Sequence, residues 1–248
     1  RQKLASEELE QNTVIIFCSD HGLFMGQQGL GGKALCYQQT THVPMIIHNP
    51  AALVQSSGRR SDQLVQTIDI APTMLDYAGI PIPDAFQGKS LRRWIDQQGD
   101  DVHDYIFTEN LWSTHFGNPR IEAVQDKNWK YIRYYKNENF PASLKIQSAK
   151  KFKLPLNKLL YTVHDDAIAL YRHFAESSLQ GEPPVYEELY DLKNDPDELK
   201  NVIGDASLSP VLNRLQDAWK TKLTEARGTG APKVLRFTAD SESDYQSK

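Results

Sequence analysis

TVIIFCSDHGLFMGQQGLGGKALCYQQTTHVPMIIHN, residues 13–49, decides how this chain is read. It opens on TVIIFC, a nearly continuous apolar run rich in β-branched residues, and closes on a second such run, VPMIIHN. Runs of this length and composition predict strands buried on both faces, as a mostly parallel sheet requires. Two of them in close succession predict an open α/β sheet flanked by helices, in which ligands gather beyond the carboxyl ends of the strands. Asp20 and His21 stand at such an end, and the glycine-rich segment that follows carries a single lysine, Lys33.

A strand-terminal Asp-His pair offers two metal-ligating side chains at adjacent positions, which the turn at Gly22 can direct towards one ion. The plainer reading is a capping aspartate beside a solvent-touching histidine. GLGGK, residues 29–33, adds weight to the first, because glycines let the backbone approach an anion and a lysine ammonium supplies a point charge for a phosphate or sulfate oxygen. It is not a P-loop, since the GxxxxGK[ST] spacing is missing.

Working outward, Leu4 and Leu9 in the first eleven residues predict the end of an amphipathic helix leading into the first strand, as in a piece of a longer polypeptide. TIDIAPTMLDYAGI, residues 67–80, predicts a helix capped by Thr67 or Asp69, with Ile68, Met74, Leu75 and Ala78 towards the sheet and Gly79 at the exit. DYIFTENL (104–111) and WKYIRYYK (129–136) predict two strands of an antiparallel sheet, so the class shifts to α+β in a smaller second subdomain. VYEELYDLKNDPDELKN (185–201) adds a strand and an Asn-Asp-Pro turn. SPVLNRLQDAWKTKLTEARG (209–228) predicts a C-terminal helix with Ser209 as N-cap, Pro210 in the first turn and a packing stripe of Val211, Leu212, Leu215, Trp219 and Leu223. Residues 136–185, basic at KKFK and punctuated by prolines, read as an insertion or lid with a helical stretch at DDAIALYRHFAES, and residues 229–248 as a tail.

A chain of 248 residues can bury a sizeable core. With 24% charged residues and a net charge of −4 it lacks the basic excess of a nucleic-acid binder, so no nucleic-acid partner is expected. No apolar run approaches the roughly 20 residues that span a bilayer. Cys18 and Cys36 are too few for a disulfide framework and lack zinc-site spacing, and Cys36 beside Tyr37 predicts a core residue. His42 is expected to shape its loop, and His103, His164 and His173 to be surface or structural. Trp112 and His115, in NLWSTHFGNPR, predict a sugar-binding wall, with packing as the alternative.

Residues 15–50 resemble the second metal-binding segment of the type I sulfatases, within the alkaline phosphatase superfamily. ELYDLKNDPDELKN (188–201) is similar to the closing strand and turn of their carboxy-terminal subdomain, and the helix at 67–80 and the strand KYIRYY occur in the family's order. The resemblance implies that Asp20 ligates a divalent metal, usually calcium with magnesium as the alternative. It places His21 at the adjacent ligand position or against the sulfate, and gives Lys33 the sulfate group itself. Residues 1–100 then form the C-terminal part of the α/β catalytic domain and 101–228 its α+β subdomain.

Catalysis in that family depends on a formylglycine made from a C/S-x-P-x-R motif. Neither Cys18, followed by SDH, nor Cys36, followed by YQQ, is in that context. The resemblance therefore implies a C-terminal portion whose partner is the N-terminal portion of the same sulfatase, acting on a sulfated carbohydrate or small sulfate ester. Export to the periplasm or outside the cell, or a lysosomal location, follows by the same resemblance; no N-x-S/T sequon occurs. Two other readings are open: a phosphodiesterase or phosphonate monoester hydrolase of the same superfamily, and a non-catalytic glycan-binding chain.

Overall fold

A computed structural model describes residues 1–50, 58, 60–97, 101–110, 119–135, 150 and 177–227. Helix α1 (Gln2–Ser6) and a 3-10 turn (Glu10–Asn12) lead into β1 (Ile15–Cys18), as expected, although α1 ends before Leu9. The strand pairs with β4 (Met45–His48), Ile15 opposite His48 and Cys18 opposite Met45. The pairing is antiparallel, not the parallel arrangement expected from the two apolar runs. The connection explains this. It holds a small hairpin, β2 (Phe24–Met25) with β3 (Gly31–Gly32), and a single-turn helix α2 (Gln38–Thr41). A parallel return needs a crossover that carries the chain back along the first strand, usually a helix of several turns, and none is present here.

A 3-10 turn (Thr67–Asp69) runs into α3 (Ile70–Tyr77). The N-terminus is closed by a reciprocal capping box between Gln66 and Asp69, so the cap lies one residue before Thr67. The face turned inwards is also different from the expected one. Asp69, Pro72 and Thr73 are buried, whereas Ile68, Met74 and Ala78 are exposed and Leu75 is half-buried. Polar anchoring sets this rotation: Asp69 Oδ1 accepts the Lys89 N–H at 2.8 Å, Asp69 Oδ2 lies 3.0 Å from His103 Nε2, and Thr73 Oγ1 accepts the Leu91 N–H at 2.9 Å. Helix α4 (Arg92–Gln97) follows, and Arg92 bonds back to Asp76.

The second part is a four-stranded antiparallel sheet of β5 (Ile106–Asn110), β6 (Arg120–Gln125), β7 (Trp129–Tyr135) and β8 (Tyr186–Asp191), in that order. Strand β6 was not expected, because RIEAVQ carries Arg120 and Glu122 where a buried strand normally shows apolar residues. Both are nonetheless buried, satisfied by Ser177, Ser178, Glu182, Tyr135, Trp219 and Arg227. Helix α5 (Ser209–Arg227) follows a 3-10 turn (Ala206–Leu208) whose first amides are capped by Asp205, not Ser209. Its expected stripe holds: Leu215, Trp219 and Leu223 pack against Val124, Tyr131, Tyr135 and Leu189, with Val211 and Leu212 at the margin.

Strand alternation sends the other side chains the opposite way. Ile121, Ala123, Ile132, Tyr134 and Tyr190 pack against Phe24, Cys36 and Tyr37 of the glycine-rich segment. The sheet thus lies between α5 and the segment that carries Lys33. All but the last residue of the expected helix at 165–177, most of the insertion and the tail lie outside the described residues.

Candidate active site

Beyond Cys18 the chain turns sharply. Ser19 Oγ donates to the His21 carbonyl at 2.9 Å, and the His21 N–H donates to Asp20 Oδ1 at 3.0 Å. That backbone bond, with His21 and Lys33 close by, holds the exposed Asp20 carboxyl below its usual value. The Gly22 N–H donates to the Thr40 carbonyl at 2.8 Å, drawing the turn against α2. A Cβ at position 22 would lie 2.0 Å from the Gln39 carbonyl oxygen, so only glycine fits.

The ring of His21 is oriented by this turn. Its Nδ1 lies 2.9 Å from the Gly22 carbonyl oxygen and must carry the proton there, since a carbonyl only accepts. Because the Lys33 ammonium can only donate, Nε2 presents its lone pair to it. It faces Asp20 Oδ2 at 3.1 Å and accepts from Lys33 Nζ at 2.5 Å. Lys33 reaches this point from the end of the β2–β3 hairpin, where Gly32 adopts φ +89° immediately before it. Three residues singled out in the sequence therefore meet: a carboxylate, an imidazole lone pair and an ammonium.

Among the described residues no group of three or more His, Cys, Asp and Glu side chains is placed to hold a metal. Asp20 and His21 supply two donor atoms at 3.1 Å, a spacing at which both can reach one cation at about 2.0–2.6 Å. The residues fit half of a site: the carboxylate suits a hard cation, while the imidazole suits a softer one. Trp112 and His115 lie outside the described residues. Cys18 is exposed and Cys36 buried, and burial pushes the Cys36 thiol up to about 12, leaving it an inert core group. His42 is exposed, and His103 is the buried partner of Asp69.

Sequence reasoning missed what supports the site. Tyr37, four residues past Lys33, donates to Glu188 at 3.0 Å, as does Tyr134 at 2.7 Å. Asn110 Nδ2 donates to the Ala34 carbonyl at 2.8 Å. The signal was faint: polar residues in the alternating strands WKYIRYY and YEELYD, at positions that point towards the glycine-rich segment.

Comparison with known proteins defines the class first. The chain superposes on a solved structure holding its substrate D-glucosamine-2-N,6-O-disulfate with a TM-score of 0.65 at 21% identity, over 94% of this chain and 38% of that one. A phosphonate monoester hydrolase from Silicibacter pomeroyi gives 0.62 at 21% identity, over 94% and 38%. At these identities the likeness shows the fold alone, the alkaline phosphatase-like fold. Residues 26–149, half of the chain, match the model of the N-sulphoglucosamine sulphohydrolase C-terminal family, and the chain belongs to that family. Among relatives, an N-acetylglucosamine-6-O-sulfatase of Bacteroides thetaiotaomicron is 26% identical over 79% of this chain. The chain spans 27% of that relative's length.

Proposed function

We propose that the chain is the C-terminal portion of a sulfatase that hydrolyses sulfate esters on a sulfated carbohydrate or a small sulfate ester, with its formylglycine nucleophile on upstream polypeptide. The meeting of Asp20, His21 and Lys33 at one strand-terminal turn carries this reading. Lys33 Nζ exchanges its bond to His21 for a sulfate oxygen and stabilises the negative charge that grows there as the S–O bond breaks. Asp20 and His21 Nε2 are the residues that would hold the divalent cation, calcium before magnesium. Such an ion polarises the sulfuryl oxygens when bound. The His21 ring cannot turn away without losing its bond to the Gly22 carbonyl, so its lone pair stays directed at the shared point.

The sulfated amino sugars in the names of the relative and the solved neighbour support a carbohydrate substrate. Trp112 and His115 are assigned to the sugar wall. Residues 1–100 are assigned to a larger, mostly parallel α/β domain, 101–228 to the α+β subdomain and 229–248 to a tail. Phe17 and Ile46, paired across β1 and β4, are exposed on one face of that pair, and Met74 on α3 is exposed as well. The N-terminal portion of the same protein is the partner we assign to this apolar surface.

The test is sulfate release by the full-length protein. Lys33→Ala is expected to lower kcat/KM by about a hundredfold or more, the usual cost of one transition-state charge partner. Asp20→Ala is expected to weaken binding of the divalent ion in calorimetric titration. The 248-residue chain alone is expected to show no turnover; turnover by it would overturn the placement of the nucleophile. A phosphonate monoester hydrolase is the second reading, favoured by the neighbour from Silicibacter pomeroyi.

A further inference from the structure

Lys33 is exposed, yet the chain on either side of it is gripped by the antiparallel subdomain. Before it, the Gln28 side-chain amide donates to the carbonyl oxygens of Asp197 (2.7 Å) and Glu198 (3.3 Å). After it, the Lys130 ammonium donates to the Cys36 carbonyl at 3.0 Å, and the Gln38 N–H donates to Glu198 Oε2 at 2.5 Å. Lys130 Nζ itself lies 2.7 Å from Glu198 Oε1. One ion pair therefore closes a clip over residues 36–38, its cation holding a carbonyl and its anion an amide two residues on.

The side chains of this pair are 2% and 0% exposed. Burial of two charges costs most of what their attraction returns, so an apolar pair of similar volume holds a core together about as well. What the charges add is geometric, since both ends of the pair terminate on the main chain of the segment that carries Lys33. Glu198 also occupies the left-handed region at φ +55°, a conformation non-glycine residues keep only where their surroundings over-determine it. Between the anchors, Gly29 and Gly32 at positive φ shape an arch, in which Leu30 and Leu35 pack against the core and the Ala34 carbonyl accepts from Asn110.

We propose that the buried Lys130–Glu198 pair is a positioning device for Lys33: it fixes residues 36–38, and with them the arch that brings the ammonium to Asp20 and His21. The identity of the anion rests on the sulfatase reading, but the clip does not. Lys130 and Glu198 act through the backbone they hold and touch no reacting atom.

The experiment uses the full-length protein and two variants. Lys130→Met/Glu198→Leu removes both charges at similar volume, and Glu198→Gln keeps an acceptor for the Gln38 amide while removing the charge opposite Lys130. Each is measured alone and combined with Lys33→Ala, by hydrogen exchange at amides 29–38 and by sulfate ester hydrolysis. In the double variant those amides are expected to exchange about tenfold faster or more, with β6 and β7 unchanged. Activity is expected to fall about ten- to a hundredfold in kcat with KM little altered, and to fall no further when Lys33→Ala is already present. Unchanged exchange at 29–38 in a folded variant, or losses that multiply with that of Lys33→Ala, would overturn the proposal. Should the double variant fail to fold, Glu198→Gln carries the same readouts. A wild type without sulfate ester hydrolysis rejects the sulfatase reading instead, and the exchange measurement alone then decides the clip.

Discussion

Glu188 shows how a single residue ties the site to solution conditions. It accepts from the phenols of Tyr37 and Tyr134, and burial is the largest influence on it, raising its pKa against the opposing pull of those hydrogen bonds. Burial also pushes the Tyr37 phenol up to about 12, so that phenol stays a donor at neutral pH. A raised folded-state pKa means the native state holds a proton that the unfolded chain has released. The stabilisation is full below the unfolded value of about 4.3 and is lost as pH rises through the folded value. Glu188→Gln removes this titration, so the variant's Tm relative to wild type is expected to increase between about pH 4 and pH 7. Thermal unfolding of both proteins across that range checks it, and a constant or decreasing difference would count against a raised Glu188. The three side chains that meet beyond β1 were legible in sequence because Asp20, His21 and Lys33 sit where a strand ends and glycines begin. Lys130, Glu188 and Glu198 were not, because a lone charge in a strand or turn reads as solvent-facing until its distant partner is placed.

At the scale of elements, direction and packing face were harder to read than existence. The strands at 15–18 and 45–48 are where the apolar runs put them, but their relative direction depends on a connection whose short pieces leave no strong periodicity. Helix α3 was placed and its face was not, since Asp69 and Thr73 bond to the 89–91 segment and outweigh the apolar stripe. The packing stripe of helix α5 was legible because its leucines meet an apolar sheet face, while its cap was not, Asp205 taking the place expected of Ser209. Two substitutions test these elements. Gly22→Ala forces a Cβ against the Gln39 carbonyl and is expected to cost about 1–3 kcal/mol, with the displaced turn also lowering activity. Leu215→Ala, at a fully buried position on α5, is expected to cost about 2–5 kcal/mol in denaturant unfolding while leaving sulfate ester hydrolysis by the folded protein unchanged.

For the whole molecule, the antiparallel sheet is a two-sided platform. One face receives α5; the other holds the glycine-rich segment, in which Lys33 follows β3 and meets His21 beside Asp20. The subdomain thus acts on the proposed chemistry from behind, through Tyr37, Cys36 and Gln38. Phe17 and Ile46, on one face of the β1–β4 pair, and Met74 on α3 remain exposed. In the full-length protein, amides of β1 and β4 are expected to exchange more slowly than in the 248-residue chain alone, as a covered sheet requires. Equal exchange in the two would remove the N-terminal portion as the occupant of that face.

The most direct measurement gives the full-length protein a sulfate monoester and a phosphonate monoester of the same alcohol at equal concentration, with wild type and Lys33→Ala in parallel. The sulfatase account expects sulfate release to dominate in the wild type and to collapse in the variant. Preferential phosphonate cleavage, or sulfate release that is indifferent to Lys33, would contradict it.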